Sequence, residues 1–377
     1  MTNPTFASMR PELGQSVEDL ETPVVVADLD VLEGNLDRFR ELETAHDVAV
    51  RSHTKAHKTP AIARQQEARL EGGLLCQTLS EAEVMTRYGA DDLLLVCPVV
   101  TQPKLERLCW VADHVDHFAT LVDGRDNAAP LQAAAAEHGT NVHAVVEVDV
   151  GVRRMGVHPG DDAVPLVEFI REQPNLVFDG ILGHDGHVPV LSADEEELRD
   201  GCQSVVDDLR ATVDAIEASG VGVDRVITGA TATAPIMAEH DVVTELDPGR
   251  YVLNDVDLLQ NGPDVGPQHC GATVHATVIA RPTPDRAIVD AGSKTISYVD
   301  GPDPVPVGRD DVAFVRKSSE HGFVDVSEAE EPVEVGDRLE FVVPNLWSII
   351  NLHDVLPGVR DGRVAEVWHV EARGKDT

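Results

Sequence analysis

A chain of 377 residues is too long for one ordinary domain but accommodates a barrel of about 250 residues and a smaller second unit. Sixty-seven acidic residues against 30 basic ones leave a net charge of −37, spread along the chain, which argues against nucleic-acid binding because phosphate contacts need basic patches. No apolar run reaches the length of a membrane span and residues 1–14 lack a signal pattern, so a soluble, cytoplasmic protein with no membrane partner is expected.

Only six of the bases are lysines. So dispersed an acid surplus suits a solvated surface in concentrated salt, where screening weakens self-repulsion. It predicts a halophilic protein that needs molar salt for full stability. The five cysteines form no C-x-x-C pair and no disulfide framework. Cys76 and Cys97 read as core thiols in apolar strands, and Cys109 and Cys202 as helix residues.

In chain order, Thr22-Pro23-Val24-Val25-Val26-Ala27-Asp28 reads as a strand, with Asp30 as the N-cap of a helix to about Ala45. Eight strand-like runs follow at 48–52, 74–78, 93–96, 117–122, 143–149, 177–182, 225–228 and 242–246. Between them, residues 61–71, 80–88, 103–112, 129–138, 164–172 and 198–218 carry helical periodicity. Repeated β-α alternation argues for a parallel sheet, and eight repeats argue for a closed (β/α)8 TIM-type barrel over residues 22–260. From about Gln260 the texture changes to short β-rich runs (273–281, 287–290, 311–315, 338–343, 364–370) between Gly, Pro and Asp turns. That predicts a second, all-β domain over 261–377, which residues 1–28 can join through the strand at 24–28.

The residues just after each barrel strand share one face, where such folds place their chemistry. The first strand leads into His53 and Lys55, and a lysine there can form a Schiff base with an aldehyde cofactor. The second ends at Gln77 and Thr78, the fifth at Glu147 and Asp149 followed by Arg154, and the sixth at His184, Asp185 and His187. After the seventh, Gly229-Ala230-Thr231-Ala232-Thr233 offers backbone N–H groups and hydroxyls suited to a phosphate; after the eighth comes Pro248-Gly249-Arg250-Tyr251. Taken singly, each has a plainer reading: a solvated lysine, a Thr-capped loop, structural histidines, a core tyrosine. Together they are the parts of a pyridoxal phosphate site.

The chain resembles the D-threonine aldolase and D-serine dehydratase family, enzymes with the alanine racemase barrel and a β-domain. The matching pieces are Arg51-x-His53-x-Lys55-x-His57-Lys58, Thr78-x-x-Glu81-Ala82-Glu83, Gly151-x-x-Arg154-x-Gly156-Val157 and Gly180-Ile181-x-x-x-x-Gly186-His187. Gly229-x-Thr231, Glu245-Leu246-x-Pro248-Gly249-x-Tyr251 and Asp290-x-Gly292-x-Lys294 complete the set. The resemblance implies that Lys55 carries pyridoxal 5′-phosphate. Gly229, Ala230 and Thr231 would hold the phosphate with Tyr251 nearby, Arg154 would approach the ring, and His53 and Gln77 would lie beside it. It also implies a homodimer.

One stretch departs from the family. Members bind a divalent metal through Pro-Asn-His-x-Cys or His-x-Asp, and here the stretch is Pro344-Asn345-Leu346-Trp347-Ser348, followed by Asn351-Leu352-His353-Asp354. Leucine cannot ligate a metal and serine replaces a thiolate or carboxylate poorly, so a metal cofactor is not expected there. The family's Tyr-x-Gly-His becomes His184-Asp185-Gly186-His187, which adds a titratable ring. The resemblance implies a lyase acting on a D-β-hydroxy amino acid. Aldol cleavage to glycine and an aldehyde stands ahead of dehydration, because a histidine (His184 or His187) can take the β-hydroxyl proton, whereas expelling hydroxide calls for a Lewis acid. A racemase and a non-catalytic cofactor carrier are the alternatives.

Overall fold

Eight parallel staves close the barrel, each within three residues of its expected run. In the computed structural model, which describes residues 11–192, 194–297 and 301–377, the first stave is two short pieces, Ala49–Val50 and Ser52–His53, separated by Arg51. Ala49–Val50 pairs with the last stave, Glu245–Leu246, and Ser52–His53 pairs with Leu74–Cys76, so the broken stave closes the ring. Asp92–Leu95, His117–Val122, Val142–Glu147, Leu176–Leu182 and Val226–Thr228 complete it, all in parallel register. Side-chain alternation divides two cores. Leu75, Leu94, Val96, Ala119, Leu121, Val145, Leu182 and Ile227 fill the interior, while Leu74, Cys76, Leu93, Leu95 and Val146 face the helices.

The first helix spans Leu29–His46 and buries Leu29, Leu32, Leu36 and Phe39, the stripe expected of a core-facing helix. Its cap is Asp28 rather than Asp30: the Asp28 carboxylate accepts from the N–H groups of Asp30 (2.9 Å) and Val31 (3.0 Å). The strand Val24–Asp28 therefore runs straight into its own capping residue. Cys97 also departs from expectation: it follows the Asp92–Leu95 stave and is exposed, whereas Cys76, Cys109 and Cys202 are buried; all are free thiols.

At the barrel floor, where the staves begin, charged side chains form a closed ring. Buried Arg51 donates through Nε to Glu245 (2.6 Å) and through both terminal nitrogens to Asp92 (2.9 and 2.9 Å). His117 Nδ1 lies 2.9 Å from Asp92 and His117 Nε2 lies 3.3 Å from Asp179. Arg225 pairs with Asp179 and donates to Glu245 (2.8 Å), completing the circuit.

The second sheet is mostly antiparallel. Val24–Asp28 lies within it, antiparallel to Ala272–Thr283 and parallel to Val355–Arg360, which settles the pairing that the sequence left open. Arg286–Val289, Gly322–Asp325 and Ala313–Lys317 extend it on one side; Arg338–Val342, itself paired with Val305–Pro306, and Arg363–His369 make its other connections. The helix Leu346–Ile350 leads from this sheet to the barrel mouth and packs on the turn that carries Lys55. Among the described residues, no helix is long and apolar enough to cross a membrane.

Candidate active site

Lys55 stands on the short turn Thr54–Ala56 that follows Ser52–His53, at the mouth of the barrel. It borders a cleft of about 820 Å3, including the part open to solvent, together with His53, His184, Ala230, Thr231, Asp247 and Trp347. Its Nζ lies 3.4 Å from Gln77 Oε1 and 5.8 Å from the centre of the Trp347 ring. Burial, with Arg154 and Arg250 adding positive potential, lowers the Lys55 amine to about 8; Asp247 and Glu81 oppose that shift. An amine near neutrality at ordinary pH is a competent nucleophile toward an aldehyde.

The seventh stave delivers an anion cradle. Gly229 sits at φ +101°, a conformation that L side chains rarely adopt, and turns the chain toward the cleft. The N–H of Ala230 donates to buried Asp185 (2.9 Å), whose other oxygen accepts from the Thr233 hydroxyl. Thr231 Oγ1 accepts from the N–H groups of Gly249 (3.2 Å) and Arg250 (3.1 Å), which ties this loop to the next. Among the described residues, the N–H groups of Thr231 and Ala232 have no partner and remain available to a phosphate. A phosphate-bearing aldehyde thus fits: an amine and free backbone donors border the same cleft.

A histidine–carboxylate pair lines the same cleft. His184 Nδ1 is 3.7 Å from Asp247 Oδ2, and the second Asp247 oxygen is buried without a partner. Half-exposed Arg154 meets buried Glu147 at 3.1 Å; burial nevertheless raises the Glu147 carboxyl to about 7. Arg250 is held by Asp255 (3.1 Å) and by Asp257, and its guanidinium lies 4.4 Å from the Trp347 ring centre. Pro189, Val190, Leu258 and Trp347 make the outer wall apolar.

Of the residues expected at the site, Lys55, His53, Gln77, Arg154, His184, Ala230 and Thr231 line the connected cavities. His187 does not. Its ring packs against the backbone of Gly151, which leaves room for it by lacking a Cβ, and it lines neither cavity. Tyr251 is a second correction. It is buried beneath the site, its hydroxyl sharing a hydrogen bond with Ser52 (2.7 Å) and accepting one from Gln66 (3.2 Å), its ring 4.1 Å from that of Phe39. A hydroxyl so satisfied in the core has nothing to offer the cleft. Asp247 and Trp347 were missed. Asp247 directly follows the last stave, so the strand-end rule that picked out Lys55 would have found it; Trp347 arrives from the second sheet, and no local pattern signals that.

The family's metal stretch does not fit a metal here. Leu346 is buried, and Asn345 caps the helix by accepting from the N–H and the hydroxyl of Ser348 (3.2 and 2.7 Å). His353 turns to the Thr295 carbonyl (3.0 Å) and Asp354 to Arg373 (2.6 Å), so the two diverge.

Comparison with known proteins adds to this geometry. The alanine racemase N-terminal domain description matches residues 27–254, and a putative serine dehydratase domain matches residues 271–359. The chain is 33% identical over 370 residues to the 3-hydroxy-D-aspartate aldolase of Paracoccus denitrificans (strain Pd 1222), covering 96% of this chain and 94% of that one. It is 33% identical over 363 residues to the D-threonine aldolase of an Arthrobacter species, covering 96% and 95%. The solved D-threonine aldolase from Filomicrobium marinum superposes with a TM-score of 0.92 at 32% identity, over 97% of this chain and 99% of that one.

Proposed function

The chain belongs to the alanine racemase N-terminal domain family, in its aldolase and dehydratase branch, and from that premise we propose a pyridoxal-phosphate-dependent lyase that cleaves D-β-hydroxy amino acids to glycine and an aldehyde. One observation carries the reading: an amine lowered to about 8 and unpaired backbone donors border a single cleft. Covalently held at Lys55, the cofactor supplies an electron sink for the pair left on Cα when one of its bonds breaks.

This chain's residues do the rest. Thr231 and Ala232 would hold the phosphate through their free N–H groups, and Arg154, backed by Glu147, would approach the ring. His184 is assigned the β-hydroxyl proton, at Nε2, because Asp247 faces its Nδ1 at 3.7 Å. Apolar Pro189, Val190 and Trp347 limit water at the outer wall. His184→Ala and Asp247→Asn should each leave the reducible cofactor adduct in place while lowering turnover by about 10²–10⁴-fold; turnover within about threefold of wild type would remove the pair from the mechanism.

The match to a serine dehydratase domain favours one second reading, loss of the hydroxyl to give a keto acid and ammonia. Incubation with D-threonine, D-serine and D-3-hydroxyaspartate, with products read by mass spectrometry, separates the two. Glycine plus aldehyde, unchanged by a chelator, supports the proposal; keto acid plus ammonia replaces it with dehydration.

We carry the charge balance into the same proposal: a cytoplasmic homodimer working in concentrated salt. Sedimentation and thermal melts should show a dimer whose melting temperature rises up to molar salt; a monomer, or a falling melting temperature, contradicts this.

A further inference from the structure

We propose that the barrel floor holds a transition-metal site for a zinc-class divalent cation, bound by His117 Nε2, His143 Nδ1 and the Asp179 carboxylate. These groups lie at the opposite end of the barrel from Lys55, and the reaction proposed above does not use them. His117 Nε2 is 3.3 Å from one Asp179 oxygen and His143 Nδ1 is 3.3 Å from the other, with the three donor atoms all within 4.8 Å of one another. Tetrahedral bonds of about 2.0–2.2 Å place neighbouring donors about 3.3–3.6 Å apart, a range that both imidazole–carboxylate separations already meet.

Two further features point the same way. Asp92 lies 2.9 Å from His117 Nδ1 and is itself held by both terminal nitrogens of Arg51. A carboxylate behind one ring nitrogen orients the other toward a metal, the usual outer shell of a ligating histidine. Asp179, in turn, is placed by a bulge. Ala144 pairs with Phe178 and Val146 with Ile181, so Asp179 and Gly180 together oppose the single residue Val145. Gly180 sits at φ +122°, where a Cβ would stand 2.3 Å from the Arg225 carbonyl oxygen. Such a bulge re-aims a side chain, and here it brings the Asp179 carboxylate to the two imidazoles.

The donors are partly exposed, at 28%, 32% and 15% of their side chains, so an ion can reach them and water can fill a fourth position. Two imidazoles and a carboxylate favour Zn²⁺, Co²⁺ or Ni²⁺ over Mg²⁺. Arg225, paired with Asp179, is the opposing charge and sets the affinity below that of a closed structural zinc site.

The test uses the tag-free, cofactor-loaded full chain, dialysed against Zn²⁺ in molar salt with excess Mg²⁺ and assayed for metal per chain. We expect one zinc per chain, affinity about tenfold or more weaker in His143→Ala, and aldol cleavage unchanged in that variant. Wild type that retains no zinc, or His143→Ala that retains as much, overturns the site. Should the variant fold poorly, a Co²⁺ difference spectrum of wild type decides: intense tetrahedral bands support the site and a faint octahedral spectrum refutes it. Zinc retention is read without turnover, so failure of the aldolase reading leaves this result interpretable.

Discussion

Lys55→Ala should leave a folded protein that no longer forms a borohydride-reducible adduct with pyridoxal phosphate, with turnover lowered by at least about three orders of magnitude. Lys55 alone among the cleft-lining residues offers an amine beside the unpaired N–H groups of Thr231 and Ala232, and no neighbour can replace it. The sign of the pH dependence follows from burial. Lowering the amine to about 8 from its ordinary 10.5 leaves about one molecule in ten neutral at pH 7, against about three in ten thousand for a solvated lysine. Cofactor uptake by the cofactor-free protein should therefore rise about tenfold per pH unit up to about 8 and then level off. Stopped-flow absorbance at several pH values measures this. A profile still rising steeply near pH 10, or an adduct that survives in Lys55→Ala, would remove Lys55 from its role.

Arg51→Ala should cost about 3–5 kcal/mol of stability, because it removes the guanidinium between two carboxylates and leaves buried Glu245 with Arg225 alone and Asp92 with His117 alone. With an unfolding entropy of about 2 cal/mol/K per residue, that lowers the melting temperature by roughly 5 °C. The broken stave adds to the loss, since Arg51 separates the two pieces that pair with opposite neighbours and its side chain also bonds the Leu74 carbonyl (3.2 Å). Arg51→Met with Glu245→Gln should recover part of the loss, because it removes the buried carboxylate that Arg51 helped to balance, while Arg225 keeps Asp179 as its partner. Calorimetry of the variants at one salt concentration checks both; a change below about 1 kcal/mol would mean that solvent already screens the ring.

The barrel was legible because its signals are local. Periodicity located the staves, and the residue after each stave located Lys55, Gln77, Arg154 and His184. What was not legible depends on which side of a neighbour a residue falls. His184 and His187 are three positions apart with the same chemistry, yet the turn at Gly186 sends one to Asp247 and the other to Gly151. Tyr251 lies two residues from Gly249 at the cleft wall, but its short helical turn points it into the core. The Val355–Arg360 strand went unread because Pro357 and Gly358, poor strand formers, occupy its centre. The floor ring joins residues nearly 200 positions apart, and no window along the chain contains it.

The insertion of Val24–Asp28 between Ala272–Thr283 and Val355–Arg360 has a consequence for biogenesis. Both of its partners are synthesised some 250 to 330 residues later, so during translation this stretch waits with unpaired amide groups on each side. The barrel can assemble while the nascent chain still emerges, but the neighbouring sheet must recapture Val24–Asp28 as an interior strand. A fragment cut after the barrel would keep that apolar ribbon bare and be prone to clumping.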